Sequence, residues 1–317
     1  MGSALETKPR IGLALGSGSS RGWAHIGVIK ALARHGIEPD VVTGCSIGAL
    51  VGAAYVTDHL DKLERWVCSL DRLDVARFFE ISTSFSGFVN KDKFHKFLNQ
   101  HVCRDDTQIE SLDKAFAVVA TDLASGTEVW FSRGALIEAV WASISLPGLF
   151  PAIRHKNRWL VDGGLVNPVP ISTCRSLGAD VVIAVNLNGD IAGKHFKKMA
   201  PKVEKVERTE TEIPADEGWI DTLTRTVREY SMSLFTNHKD GREEAPDLFD
   251  AIAGSINITQ DRITRFRIAS DPPDILITPR LMHISLLEFH RAKEAIEAGE
   301  AMIETMLPEI QDVVSSV

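Results

Sequence analysis

The sequence is poor in cysteine, in basic charge and in long apolar runs, and each shortage removes a class of function. Its four cysteines, Cys45, Cys68, Cys103 and Cys174, are scattered, with no pair at metal-ligand spacing. They read as reduced thiols of a cytosolic protein, and no metal is expected. Lys and Arg number 35 against 43 Asp and Glu, a formal net charge of -8. A nucleic-acid binder carries a basic face, so this balance argues against nucleic acid as a partner. It also opposes non-specific adsorption to an anionic membrane and leaves only a local basic patch for peripheral contact. The most apolar stretch, Val41 to Val56, is shorter than the roughly 20 residues of a spanning helix, and Thr43, Ser46 and several glycines interrupt it. Residues Met1 to Glu6 lack the apolar run of a signal peptide, and Glu6 stands where a myristoylation site wants Ser or Thr. The expected location is cytoplasmic, with peripheral contact at the inner membrane surface. No repeat or low-complexity tract is visible.

What remains is ordinary globular material. The chain has 317 residues, 44% hydrophobic and 25% charged, enough to bury a large core. Short apolar runs alternate with stretches of helical period, the pattern of an α/β layer fold. Strands are expected at Ile11–Leu15, Pro39–Thr43, Ala115–Thr121, Glu128–Phe131, Arg158–Val161, Asp180–Val185 and Asp274–Thr278. Helices are expected at about 21–35 (capped by Gly36), 47–56, 58–70, 92–101, 135–143, after Pro170, within 219–270 and at 285–306. The loop Ser82–Asn90 reads as an exposed lip. From Gly189 to about Gly218 the composition turns to Lys and Glu without a sustained period. The economical organisation is one domain over 1–317 with a flexible or lid-like insertion at about 190–218.

Three motifs carry chemistry. Gly44-Cys45-Ser46-Ile47-Gly48 matches G-x-S-x-G between a predicted strand and a small-residue helix. That setting places a serine on a tight turn near a helix N-terminus, where a nucleophile is exposed and developing negative charge is favoured. Gly16-Ser17-Gly18-Ser19-Ser20-Arg21-Gly22 links the first strand to the first helix. Its successive N–H groups suit either an oxyanion or a phosphate. A dinucleotide loop needs its third glycine at position 21, which is Arg21, and a P-loop needs Gly-Lys-Ser/Thr; both fail, so the oxyanion reading is preferred. Arg21 could steady the loop or meet an anionic head group. Asp162-Gly163-Gly164 ends a short strand, where a carboxylate on a glycine-flanked turn can accept a serine proton.

Together, in this order, the motifs resemble the patatin-like phospholipase family, and the compact bacterial members similar to the catalytic domain of neuropathy target esterase in particular. The resemblance runs from Leu15–Gly27 through Gly44–Gly48 and Asp162–Gly164 to the Pro273–Pro279 tail, and is weakest from Asp190 to about Gly254. It implies a three-layer α/β/α fold with a mainly parallel central sheet, and a Ser–Asp dyad with no catalytic histidine and no cofactor. Carried over by position, Ser46 is the nucleophile, Asp162 its base, and the amides around Ser17, Gly18 and Ser19 the oxyanion hole, with Gly16, Arg21, Gly22, Gly44, Gly48, Gly163 and Gly164 supporting them. Ser17 and Ser19 depart from the family's usual glycines, which matters wherever a positive φ is required.

The expected function is therefore hydrolysis of a lipid or other acyl ester of phospholipase, lysophospholipase or esterase type. A weakly active regulatory or scaffold protein that keeps the fold is the alternative, and a nucleotide-binding module comes third. A Ser–acid–His triad would draw on His195, His238, His283 or His290, none of which sits in a motif. Asp105-Asp106 reads as a solvated turn, and Trp23, Trp66, Trp130, Trp141 and Trp159 mostly as core. Phe78, Phe79, Phe85 and Phe88 lie near the expected lip. Oligomeric state is not legible.

Overall fold

The computed structural model describes residues 8–78, 91–189 and 248–316. The expected lip, the 190–218 insertion, His195, His238, Phe79, Phe85 and Phe88 lie outside the described residues. One sheet organises the rest. Its parallel part is β3 (Ala115–Asp122), β2 (Val41–Cys45), β1 (Ile11–Leu15), β7 (Val181–Val185) and β8 (Ile275–Ile277), hydrogen-bonded in that order. Strands β1, β2 and β7 are buried at every position, which is why each reads as a continuous apolar run rather than an alternating one. Side chains still alternate between two cores. Leu13, Leu15, Val42, Ile183 and Val185 face a large core shared with α1 (Ala24–Arg34), α2 (Ile47–Val56), α6 (Leu136–Ile144) and α9 (Ala292–Ser315). Ala14, Val41, Val182 and Ala184 face a smaller one closed by Val169, Ile171 and Cys174, the last two on α7 (Ile171–Ser176). Helices on both faces of a sheet give the three-layer α/β/α architecture.

The other three strands are antiparallel: β4 (Glu128–Phe131), β5 (Ile153–His155) and β6 (Arg158–Asp162). Their placement decides the site. Val118 and Val119 pair with Gly44 and Cys45 of β2 and also with Phe131 and Trp130 of β4, so β2 and β4 lie on opposite edges of β3. Ala120 and Thr121 pair with Asp162 and Val161 of β6 and also with Val129 and Glu128 of β4. Strand β6 therefore shares an edge with β2. The two meet end to end, β2 stopping opposite Val119 and β6 opposite Ala120.

Several expectations shift. Strand β2 starts at Val41, not Pro39, and runs to Cys45, so it delivers the chain directly to Ser46. The first helix begins as a 3-10 turn at Ser19–Trp23 before α1. Gly36 does follow the helix at φ +70. The stretch expected as one helix at 58–70 is α3 (Leu60–Ser69), followed by a separate α4 (Arg72–Phe78). Helix α5 covers Lys91–His101 and α8 covers Leu248–Ser270. Strand β5 had no apolar run to announce it. The closing helix starts at Ala292 rather than Ser285 and continues through Pro308 to Ser315, because Ser19, Ser20 and Arg21 hold the carbonyls of Leu286, Ser285 and Ile284 in a non-helical strap. Trp23 and Trp141 are core residues as expected, but Trp130 and Trp159 are 45% and 52% exposed, sitting on the antiparallel edge.

Candidate active site

Ser46 takes φ 55, ψ -123 between β2 and α2, a left-handed conformation that is costly for any residue with a Cβ. A serine held there projects from the turn instead of joining either element. Its N–H donates to Ser143 Oγ at 2.8 Å, and Ser143 Oγ in turn donates to the Val119 carbonyl at 2.6 Å. Ser143, on α6, thus ties the strained turn to β3. No sequence motif marked it.

Across the gap between β2 and β6, Ser46 Oγ donates to Asp162 Oδ2 at 2.5 Å. Asp162 Oδ1 accepts from the Gly164 N–H at 2.7 Å, so both carboxylate oxygens have a donor. The backbone of Asp162 is fixed as well, its N–H donating to Ser145 O and its carbonyl accepting from Thr121 Oγ1. Gly163 is needed at the junction, since a Cβ there would lie 2.2 Å from the Val119 carbonyl oxygen. Asp162 is 1% exposed. Burial pushes its carboxyl up from 3.8 to about 6, against the opposing pull of the Ser46 and Gly164 hydrogen bonds.

The Gly16–Gly22 loop lies beside this pair, and Ser17, Gly18 and Ser19 line the same cavity as Ser46 and Asp162. Its amides are not equivalent. Gly16 N–H donates to Val185 O, Ser17 N–H to Pro168 O and Ser20 N–H to Leu286 O. Among the described residues the amides of Gly18 and Ser19 alone in the 16–20 stretch have no acceptor. Ser19 has φ +53, the strain foreseen for a serine in a glycine position, and its hydroxyl is held by Leu286 O at 2.6 Å. Beneath the loop His25 is fully buried and bonds Gly16 O through Nε2 at 2.8 Å, while Nδ1 has no partner. A carbonyl only accepts, so Nε2 carries the proton. Burial holds the imidazole at about 4, hence neutral. Arg21 turns inward and braces the loop, donating from Nε to Ile284 O and from Nη1 to Asn188 Oδ1; burial lowers its guanidinium pKa.

No histidine bonds either Ser46 or Asp162 among the described residues. His283 instead faces Glu294 on the surface. Asp105 and Asp106 pair with His95 and Arg104, and no group of three metal-binding side chains occurs among the described residues. The cavity wall beyond Ser46 is aromatic: Trp66, Phe78, Phe94, Phe97 and Phe150 contribute to it, and Phe94 contacts Phe97, Phe78 and Phe150 at ring separations of 5.3 to 6.0 Å. Helix α8 brings Asn257 and Gln260 into the lining of the same cavity, also unmarked in the sequence.

The family model for patatin-like phospholipase matches residues 13–175. An uncharacterized NTE family protein of Mycobacterium tuberculosis is 32% identical over 94% of this chain and 91% of its own length. The chain belongs to the patatin-like phospholipase family. It is accordingly a lipid ester hydrolase. A lysophospholipase NTE1 of Coccidioides immitis is 34% identical over 56% of this chain, but over only 11% of its own, much longer sequence. VipD from Legionella pneumophila aligns with 98% of this chain and 67% of its own at a TM-score of 0.44 and 12% identity. Among the described residues, no helix of this patatin-like chain is long and apolar enough to cross a membrane.

Proposed function

We propose that this patatin-like chain cleaves acyl esters of lipids, lysophospholipids among them, through a Ser46–Asp162 dyad without histidine. The observation that carries the reading is the 2.5 Å contact between Ser46 Oγ and a fully buried carboxylate whose second oxygen is held by Gly164. Asp162 takes the hydroxyl proton as Ser46 Oγ attacks the ester carbonyl. A carboxylate near 6 is a better base than an exposed aspartate and is still ionised at neutral pH. The developing oxyanion falls to the unengaged amides of Gly18 and Ser19. Ser17 drops out of the donor set, because its N–H is already given to Pro168 O. Collapse expels the alcohol, which takes its proton from Asp162. Water, deprotonated by the same carboxylate, then cleaves the acyl-enzyme. The aromatic wall receives the acyl chain. The lysophospholipase name of the fungal relative supports the substrate class.

Peripheral contact with a lipid surface belongs to the same reading. The β5–β6 hairpin exposes Arg154, Lys156, Arg158 and Trp159, and Leu123, 57% exposed, bonds the Trp159 carbonyl through its N–H. A rim of cations and an indole suits an anionic headgroup layer. Ser46→Ala protein should co-sediment with phosphatidylglycerol vesicles, and Arg154→Glu/Lys156→Glu/Arg158→Glu should release it; undiminished binding would remove this hairpin from the picture.

Fluorophosphonate labelling tests the dyad. A single adduct on Ser46, absent in Ser46→Ala and slowed in Asp162→Asn, is the expected result. An adduct elsewhere, or none on folded protein, refutes it.

A further inference from the structure

The α8 wall holds a polar group whose orientation can be derived step by step. Arg21 is a pure donor, so the atom of Asn188 facing its Nη1 at 3.1 Å is the carbonyl oxygen. That leaves Asn188 Nδ2 facing Gln260, 3.4 Å from an atom that must accept, Gln260 Oε1. Ser17 Oγ donates to the same oxygen at 3.0 Å. Gln260 Nε2 is consequently turned the other way, against Gly164, where a Cβ on that glycine would lie 2.3 Å from Nε2 and 2.9 Å from Asp162 Oδ1. Gln260 is 5% exposed, and its nitrogen has no hydrogen-bond acceptor among the described residues. An amide donor held in the cavity wall beside the Ser46–Asp162 pair, with no acceptor from the described chain, points to a ligand that completes it. Asn257, three residues earlier on α8 and half-buried, lines the same cavity, and its side-chain amide has no hydrogen-bond partner among the described residues.

The same cavity thus combines an aromatic wall with amide groups that have no partner of their own. We infer that Gln260 and Asn257 form a subsite for the alcohol portion of the substrate, recognising hydrogen-bond-accepting oxygens of a glyceryl group next to the scissile ester. Two sources supply that chemistry: the free hydroxyls of a monoacylglycerol and the phosphodiester oxygens of a lysophospholipid. The inference rests on the Ser46–Asp162 reading and deepens it by assigning what lies on the leaving side. It also gives Ser17 a use for its hydroxyl that a glycine there would lack.

The test compares kcat/KM of wild type and Gln260→Met on three esters of one acyl chain: lysophosphatidylcholine, monoacylglycerol and a 4-nitrophenyl ester. The expected result is a loss on the glyceryl esters that exceeds the loss on the nitrophenyl ester about tenfold or more. Excess loss on both glyceryl esters assigns the contact to hydroxyl oxygen, and on lysophosphatidylcholine alone to the phosphodiester. Equal losses on all three substrates would reduce Gln260 to a brace of the Ser17 loop and overturn the subsite, as would no loss at all. Should Gln260→Met fail to fold, Asn257→Leu, at a half-buried position, should still shift the ratio about threefold, and an unchanged ratio overturns the proposal. Fluorophosphonate labelling of Ser46 in the same samples reports on the parent reading separately.

Discussion

The two halves of the sheet contribute to the site in different ways. The parallel half, β2-β1-β7-β8, is apolar, buried on both faces, and supplies Ser46 by a strand–turn–helix. The antiparallel edge, β4, β5 and β6, is short and half-exposed, and supplies Asp162 from a strand that arrives head-on against the end of β2. The parallel half makes a strained turn tolerable by burying its neighbours, whereas the antiparallel edge needs only to place one carboxylate, which it does by pinning both ends of the Asp162 peptide. Rigidity on one side and position on the other together give a 2.5 Å contact between residues 116 apart in sequence.

If that division of labour holds, damage on each side should have a different signature. Ser46→Ala should bring ester turnover to background, a fall of more than about 10⁴-fold, with little change in melting temperature. Asp162→Asn should cut turnover about 10³-fold but stabilise the fold. A carboxyl raised from 3.8 unfolded to about 6 folded binds its proton more tightly in the folded state. Its stabilising contribution is complete below about 4 and is lost as pH climbs through 6, so at pH 8 the ionised, buried Asp162 is a burden on the order of 3 kcal/mol. Melting curves of the two proteins should converge near pH 4 and separate in favour of the variant above pH 6. A wild-type rate that shows no rise through about pH 6 would count against Asp162 as base.

Gly163→Ala strikes the junction itself. Its methyl would meet the Val119 carbonyl at 2.2 Å, so β6 must retreat, and turnover should drop about 100-fold along with a lower melting temperature. If activity falls and stability does not, the strand ends are more yielding than proposed. Ser143→Ala removes the tether on the parallel side, leaving the Ser46 N–H and Val119 C=O without that partner; a loss of about 1–3 kcal/mol by denaturant titration is expected, with a smaller fall in rate. The mildest effect belongs to His25→Gln. An amide can still donate to Gly16 O, and because burial keeps the imidazole neutral, with a pKa of about 4, its charge plays no part at neutral pH; turnover should fall only a few-fold.

What could be read beforehand follows the same division. Apolar runs buried on both faces gave away β1, β2 and β7, and fixed glycine spacing gave away Ser46, the 16–22 loop and Asp162, because those features are local. Strand β5 was missed because it is three residues long with no apolar run of its own, formed only by pairing with β6, and the true start of α9 was missed because it depends on the Ser19–Arg21 strap at the other end of the chain. Trp130 and Trp159 were misjudged because they sit on β4 and at the outer start of β6, where the short antiparallel part of the sheet leaves their side chains half-exposed.

The sequence by itself therefore determined the parts: a strained serine turn, a loop of amides, an aspartate on a glycine hinge, and the family they belong to. Tertiary structure alone decided how those parts are used. Which amides stay unengaged depends on Pro168, Val185 and Leu286 taking the other three, and the carboxyl rises to about 6 only because packing removes its water. That Gln260 turns its nitrogen toward the Ser46–Asp162 pair depends on Arg21, Asn188 and Ser17, up to 243 residues away. Hydrogen-bond partnership and desolvation belong to the neighbours of a group rather than to the group itself, and neighbours are assigned only when the chain folds.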